Sequence, residues 1–184
     1  MKTFDKAGRL NTSACLATAV NALKQKGIST LITASTSGYT ALQAAELISE
    51  IDAKLVVITH NYGFKEPGTI EMTRETREKL QNMGAAVHTG TMPFRNIGTA
   101  IRSTMGYSQQ ELIANTLRLM GQGIKVCVEI AMMAADAGLA GNTDVITVAG
   151  TARGADTAAI IRPASSNRLF EIKIREILAK PYDW

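Results

Sequence analysis

The feature that most constrains this chain is a series of short, unbroken apolar runs spaced by stretches of helical periodicity. Residues 30–34 (Thr-Leu-Ile-Thr-Ala), 54–59 (Lys-Leu-Val-Val-Ile-Thr) and 144–148 (Asp-Val-Ile-Thr-Val) are apolar at successive positions and bounded by turn formers. A strand of that kind needs cover on both faces, as parallel strands in α/β proteins have. Residues 85–89 read as a further short strand. Between these runs the period changes. Residues 11–26 predict a helix, with Asn11, Thr12 and Ser13 as N-cap residues, Leu16, Val20 and Leu23 on one face, and Gly27 as the stop. Residues 39–50 and 71–83 predict two more, and residues 61–68 a loop too long for a simple turn.

The second half is less regular. A weaker helix is expected near residues 97–105. Ser108 and Glu111 then make an S-x-x-E capping box at the start of a long helical region. Ile124, Val126, Val128 and Ile130 alternate as in a strand. They run without a break into Ala131-Met132-Met133-Ala134-Ala135-Asp136-Ala137, a strong helix former, so the whole segment reads as helix up to Gly138. Residues 158–162 and 172–179 predict the last two strands, the latter with Ile172, Ile174 and Ile177 apolar. Strands separated by helices pair in parallel. The last two strands are close in sequence, which allows one of them to run antiparallel at a sheet edge.

Composition narrows the class. The 184 residues, read as one domain over 1–184, are 46% hydrophobic and 20% charged, enough for a packed core without a disulfide or metal staple. A net charge of +4 suits a small anionic ligand. The basic residues are scattered, so neither nucleic acid nor a membrane surface is an expected partner. No run approaches about 18 apolar residues, and Met1-Lys2-Thr3-Phe4-Asp5 lacks the apolar core of a signal peptide. Cys15 and Cys127 make no disulfide framework, so a cytoplasmic chain with reduced thiols is expected. His60 and His88 have no Cys or His at ligand spacing, and no metal is expected. The Met and aromatic content fits a homo-oligomer interface as well as it fits a core.

In an open parallel sheet, ligands bind outside the carboxyl ends of the strands, so the loops after strands are the places to look. The first is Ser35-Thr36-Ser37-Gly38-Tyr39-Thr40. It offers four hydroxyls, a Gly for a tight turn and free amides at a helix start, the parts of a phosphate cradle. A Ser/Thr-rich helix cap without a ligand is the plain alternative. The second is Gly150-Thr151-Ala152-Arg153-Gly154-Ala155-Asp156-Thr157, where small residues let a flat ligand approach and Arg153 and Asp156 could meet its polar edges. A surface turn with a local Arg–Asp pair is the alternative there. The third is Thr59-His60-Asn61-Tyr62-Gly63-Phe64. His60 ends a buried strand, and Tyr62 or Phe64 could stack on an aromatic ligand or sit in the core. His88 is expected to be structural, Lys125 and Glu129 to pair with each other at i,i+4, and Cys127 to be inert.

Several motifs are missing. There is no G-x-x-x-x-G-K-[ST], Gly121-Gln122-Gly123 lacks the third Gly of a dinucleotide fingerprint, and no G-x-S-x-G elbow is present. No Ser, Cys or Thr has a base partner recognisable in sequence.

The first loop, with Ala41 after it, resembles the T-x-S-G-x-[ST]-A loop of the pyruvate kinase C-terminal domain, which holds a phosphate of the sugar-bisphosphate activator. Ser35 stands where that family has Thr, and Tyr39 where it often has Arg. A broader resemblance covers nearly the whole chain. It is to the stand-alone pyruvate-kinase alpha/beta-domain-like proteins of prokaryotes. Its matching stretches are residues 34–38, 59–64, 123–131, 134–139 and 150–158. The resemblance implies a three-layer α/β/α sandwich with a mostly parallel sheet and a helical central region. It also implies binding of flavin mononucleotide (FMN). The strands at 30–34 and 144–148 would then be neighbours, with Ser35–Thr40 taking the phosphate and Gly150–Thr157 lining the same cleft. His60, Gly63 and Phe64 would flank it. Pyruvate kinase activity is not expected, since its catalytic residues lie in a barrel of about 250 residues. The reading preferred is a domain that binds a phosphorylated ligand. A flavin-dependent oxidoreductase with His60 or Arg153 near the ring, and a sugar-phosphate or nucleotide sensor, are the alternatives.

Overall fold

The computed structural model describes residues 1–184. It contains seven strands: β1 (Lys2–Lys6), β2 (Thr30–Ala34), β3 (Lys54–Ile58), β4 (Ala86–His88), β5 (Val145–Ala149), β6 (Thr157–Arg162) and β7 (Lys173–Asp183). Six α-helices accompany them: α1 (Thr12–Lys26), α2 (Tyr39–Ile48), α3 (Arg74–Asn82), α4 (Asn96–Met105), α5 (Gln109–Arg118) and α6 (Gln122–Asp136). The strands form one sheet in the order β1-β7-β6-β5-β2-β3-β4. The pairs β4–β3, β3–β2, β2–β5 and β7–β1 are parallel, and β6 runs antiparallel to both of its neighbours. This is the expected α/β sandwich with a mostly parallel sheet, and β2 and β5 are adjacent.

The continuous apolar runs are explained by a core on each face. Along β3, Leu55 and Val57 join the core under α1, α2 and α3, whereas Val56 and Ile58 join the core under α6. On β6, Ala158 and Ile160 face one way and Ala159 and Ile161 the other. α6 lies directly across β2, β3, β5 and β6, while α5 packs on α6 and α4 on α5. The alternation from Ile124 to Ile130 is therefore helical, with nearly all of α6 buried. No helix is long and apolar enough to cross a membrane.

The ends of the sheet differ from the expectation. The antiparallel strand is β6, an interior strand, and the edge beyond β7 is β1. β1 left no periodic signal because only Phe4 of its five residues is buried; what makes it a strand is backbone pairing to β7. β7 carries apolar residues three apart at Ile174 and Ile177, a spacing foreign to a regular strand. Two register shifts interrupt the ladder: Ile161 pairs with Ile174 and Ile160 with Glu176, then Ala159 with Ile177 and Ala158 with Ala179. Arg175 and Leu178 are the extra residues, and the first of them, Arg175, restores the parity that brings Ile174 and Ile177 to the same face. The long helical region splits at the non-helical Gly121 into α5 and α6. The capping box is half formed. The Ser108 hydroxyl accepts from the Glu111 amide at 3.2 Å, and the Glu111 carboxylate lies instead 3.6 Å from Arg102.

The start of α6 presses on β6 at Gly123, where an added Cβ would overlap Oγ1 and Cβ of Thr157. Gly123→Ala is expected to destabilise the protein by about 1–3 kcal/mol through overpacking, read as a lower midpoint in urea denaturation with an unchanged slope.

Candidate functional site

The carboxyl ends of β2, β3, β4 and β5 open on one edge of the sheet, and the sequence-predicted loops meet there. In the β2–α2 loop, the Ser35 amide donates to Ile58 O of the neighbouring strand at 2.9 Å, and the Ser35 hydroxyl accepts from the Ala41 amide at 3.2 Å. Ser35 is therefore a buried brace between β3 and α2. The next five amides, Thr36 to Thr40, donate to no protein acceptor. Ser37 is exposed and Thr40 buried. Gly38, with φ +98°, turns the chain into α2. A Cβ there would strike Thr76 Cγ2, so both conformation and space demand glycine.

Beside Tyr39 lies a cation: the Arg9 guanidinium is 3.8 Å from the centre of the Tyr39 ring. Arg9 also sits beside the β5–β6 loop, for a Cβ on Gly154 would come within 2.7 Å of Arg9 Cα. Arg9 thus bridges the first two predicted loops. Sequence reasoning missed it because its position depends on β1.

Within the β5–β6 loop, Thr151, Ala152 and Arg153 make a tight turn. Ala152 holds φ +63°, the only non-glycine residue in the left-handed region, and the Arg153 amide donates to Thr151 O at 2.8 Å. Ala152 and Arg153 are exposed and available to a ligand; Gly150 is partly covered. Asp156 and Thr157 are fully buried. The Asp156 carboxylate accepts from the amides of Gly8 (2.9 Å) and Thr151 (3.0 Å) and from the Thr157 hydroxyl (2.8 Å). It shapes the loop and forms no pair with Arg153.

His60 follows β3. Its Nε2 lies 3.5 Å from the Thr36 hydroxyl and its Nδ1 3.4 Å from Glu71 Oε1. The imidazole stacks on Phe64 with ring centres 3.7 Å apart, and the Arg95 guanidinium covers the Phe64 ring at 4.5 Å. The Phe64 ring is thus engaged within the protein, while Tyr62 and Gly63 are exposed. Burial lowers the His60 pKa, and the Glu71 carboxylate opposes that by hydrogen bonding and charge. Glu71 and Arg95 were not singled out from sequence. For Arg95 a signal existed, since residues 89–95 follow a strand; for Glu71 there was none.

Beneath this group, Lys125 and Glu129 form the expected pair, at 2.5 Å and almost completely buried. The other Glu129 oxygen accepts from the Phe94 amide at 2.9 Å, which fixes the segment carrying Arg95. Burial pulls Lys125 down despite the attraction of Glu129. His88 is a strand residue whose carbonyl accepts from the Thr59 amide. Both cysteines are buried and free, and burial pushes both thiols up, Cys127 to about 12.

No protein-family model matches the chain. Among solved structures, it is similar to a Cryptosporidium parvum pyruvate kinase in complex with ADP, with 15% identity, coverage of 83% of this chain and 24% of that one, and a TM-score of 0.41. A hydrogen sulfide-producing enzyme from Fusobacterium nucleatum matches at 13% identity over 56% of this chain and 31% of that chain, TM-score 0.34. An O-ureido-L-serine synthase matches at 13% over 75% and 50%, TM-score 0.33. The chain spans a quarter to a half of these proteins' lengths. They are likenesses of chain trace alone.

Two outcomes follow. Lys125→Met leaves Glu129 buried without its counter-charge and is expected to cost about 3–5 kcal/mol in a denaturant melt. His60 and His88 are both depressed by burial, so the unfolded chain binds more protons than the folded one as pH falls. Their contribution is fully present above the ordinary histidine value of 6.5 and is lost as pH drops through the lower folded values. Melts from pH 7.5 to 5 are expected to show declining stability, and His60→Gln to flatten that slope in part.

Proposed function

We propose that this chain binds a phosphorylated small molecule, FMN in particular, at the carboxyl ends of β2 and β5. The observation that carries the reading is the run of five amides, Thr36 to Thr40, without protein acceptors at the start of a ten-residue helix. Amides so placed, with the helix dipole behind them, favour an anion. Arg9 beside Tyr39 adds a positive charge at the rim. The exposed small residue Ala152 and the exposed Arg153 give a flat ring a wall that it can approach closely, with one polar contact. The ring would lie towards the β5–β6 loop, since Phe64 is already packed against His60 and Arg95. Two buried, unpaired thiols suit the reducing cytoplasm.

The test is titration of the purified protein with FMN and riboflavin, followed by flavin fluorescence. FMN is expected to bind at micromolar concentration and riboflavin at least about tenfold more weakly, the difference being the phosphate share of about 1.4 kcal/mol or more. Ser37→Asp should weaken FMN by a similar factor with an unchanged melting temperature, because Ser37 is exposed and makes no side-chain hydrogen bond and Asp suits a helix start. Equal affinity for the two flavins, or a Ser37→Asp variant that binds FMN as the parent does, would sink the reading.

A further inference from the structure

We propose that Thr36, His60 and Glu71 form a hydroxyl–imidazole–carboxylate relay in which Thr36 accepts an acyl group, so that the chain hydrolyses small carboxylic esters. The proposal shares the β2–α2 loop with the anion site but does not rest on phosphate binding.

The polarity of the relay follows from its members. A carboxylate oxygen only accepts, so Glu71 Oε1, 3.4 Å from His60 Nδ1, places the imidazole proton on Nδ1. Nε2 is then a lone pair, and it faces the Thr36 hydroxyl at 3.5 Å. The hydroxyl hydrogen therefore points at the ring, and the oxygen lone pairs face away from it. Both distances are at the long end, as they often are before a substrate draws such groups together. His60 cannot swing away freely, since its face is stacked on Phe64. The second Glu71 oxygen is buried with no partner, so it has no competing donor to turn the carboxylate from the imidazole. The amides of Ser37 and Gly38, next in the chain to Thr36, donate to nothing and can receive an oxyanion. Nucleophile, base and orienting carboxylate thus meet at the half-exposed Thr36, and the unbonded amides follow in the next two residues.

In the reaction, Thr36 Oγ1 bonds to the ester carbonyl carbon as its proton passes to His60 Nε2, and the carbonyl oxygen becomes an oxyanion at the amides. The oxyanion collapses, the ester C–O bond breaks, and the leaving alkoxide takes the proton from Nε2. Water then attacks the Thr36 ester, giving its proton to Nε2; the carboxylic acid departs and Thr36 recovers its hydrogen. Glu71 is a positioning residue. The groups that set the charge around His60 are Glu71 ahead of α3, Arg95 ahead of α4, and Glu129 on α6, itself paired with Lys125.

The experiment is hydrolysis of p-nitrophenyl acetate by the purified full chain. Thr36→Val, which keeps side-chain volume and every backbone amide, is expected to lower kcat/KM by about 100-fold or more, with the melting temperature of the parent. A rapidly quenched digest should carry acetyl on the Thr36 peptide. Glu71→Gln should lower the rate and move the acid limb of the pH profile to lower pH, because its carboxylate raises the His60 pKa; a residue with a merely structural role would leave that limb in place. With two histidines in the chain, nitrogen-15 spectra should show the His60 proton on Nδ1. A parent rate no higher than that of free imidazole, a Thr36→Val rate equal to the parent's, acetyl on another side chain, or the proton on Nε2 would each overturn the relay. Loss of FMN binding with the esterase intact would overturn the phosphate reading instead.

Discussion

The buried carboxylate of Asp156 is the contact on which the site edge of this molecule depends. One oxygen accepts from the amide of Gly8, 148 residues away in sequence, and from that of Thr151; the other accepts from the Thr157 hydroxyl. A carboxylate out of water survives only with its lone pairs filled, and here the filling draws three segments together. β1 leads into Gly8, the β5–β6 loop closes around Thr151, and β6 begins at Thr157. Arg9 follows Gly8 and is thereby delivered to the ring of Tyr39. The Thr12 hydroxyl completes the junction, accepting from the Ala155 amide and donating to Arg9 O.

Much of the sheet was legible from the sequence because its strands are covered twice. An unbroken apolar run has few alternatives, and the runs at β2, β3 and β5 were placed to within a residue. α6 was legible despite its alternation, since Ala131 to Ala137 supplied the local propensity that strands lack. β1 was not, because one buried Phe4 gives no period and its pairing with β7 is long-range. The place of β6 was misjudged for a related reason. β6 is interior because β7 pairs on its far side and β1 pairs beyond β7, and the strand that closes that edge carried no signal.

The candidate site was legible where strands hand over to loops. Ser35–Thr40, His60 and the β5–β6 loop all lie on the expected edge, but the labour is divided differently inside them. Ser35 and Asp156 brace the fold, Phe64 packs on His60, Arg9 lies against Tyr39, and the amides and Arg153 remain free. Glu71 and Arg95 reach His60 from segments with no motif at all. Sequence spacing registers what is local; a histidine flanked by a carboxylate from one loop and a guanidinium from another is a property of the sheet order. The buried Lys125–Glu129 pair is the intermediate case, since its partners are one helical turn apart while its purpose, anchoring the Phe94 amide, is remote.

The five unbonded amides after Ser35 have a consequence for how this surface can drift over time. Donors that belong to the main chain cannot be deleted by changing a side chain, so the loop can exchange Ser37 or Tyr39 for other residues and still present the same array. What evolution cannot vary is the path: Gly38, with its left-handed turn against Thr76, and Ser35, braced between β3 and α2, hold it in place. Distant copies of this fold can therefore lose the other recognisable side chains of the loop and keep its row of unbonded amides, and a search by residue identity would pass them by.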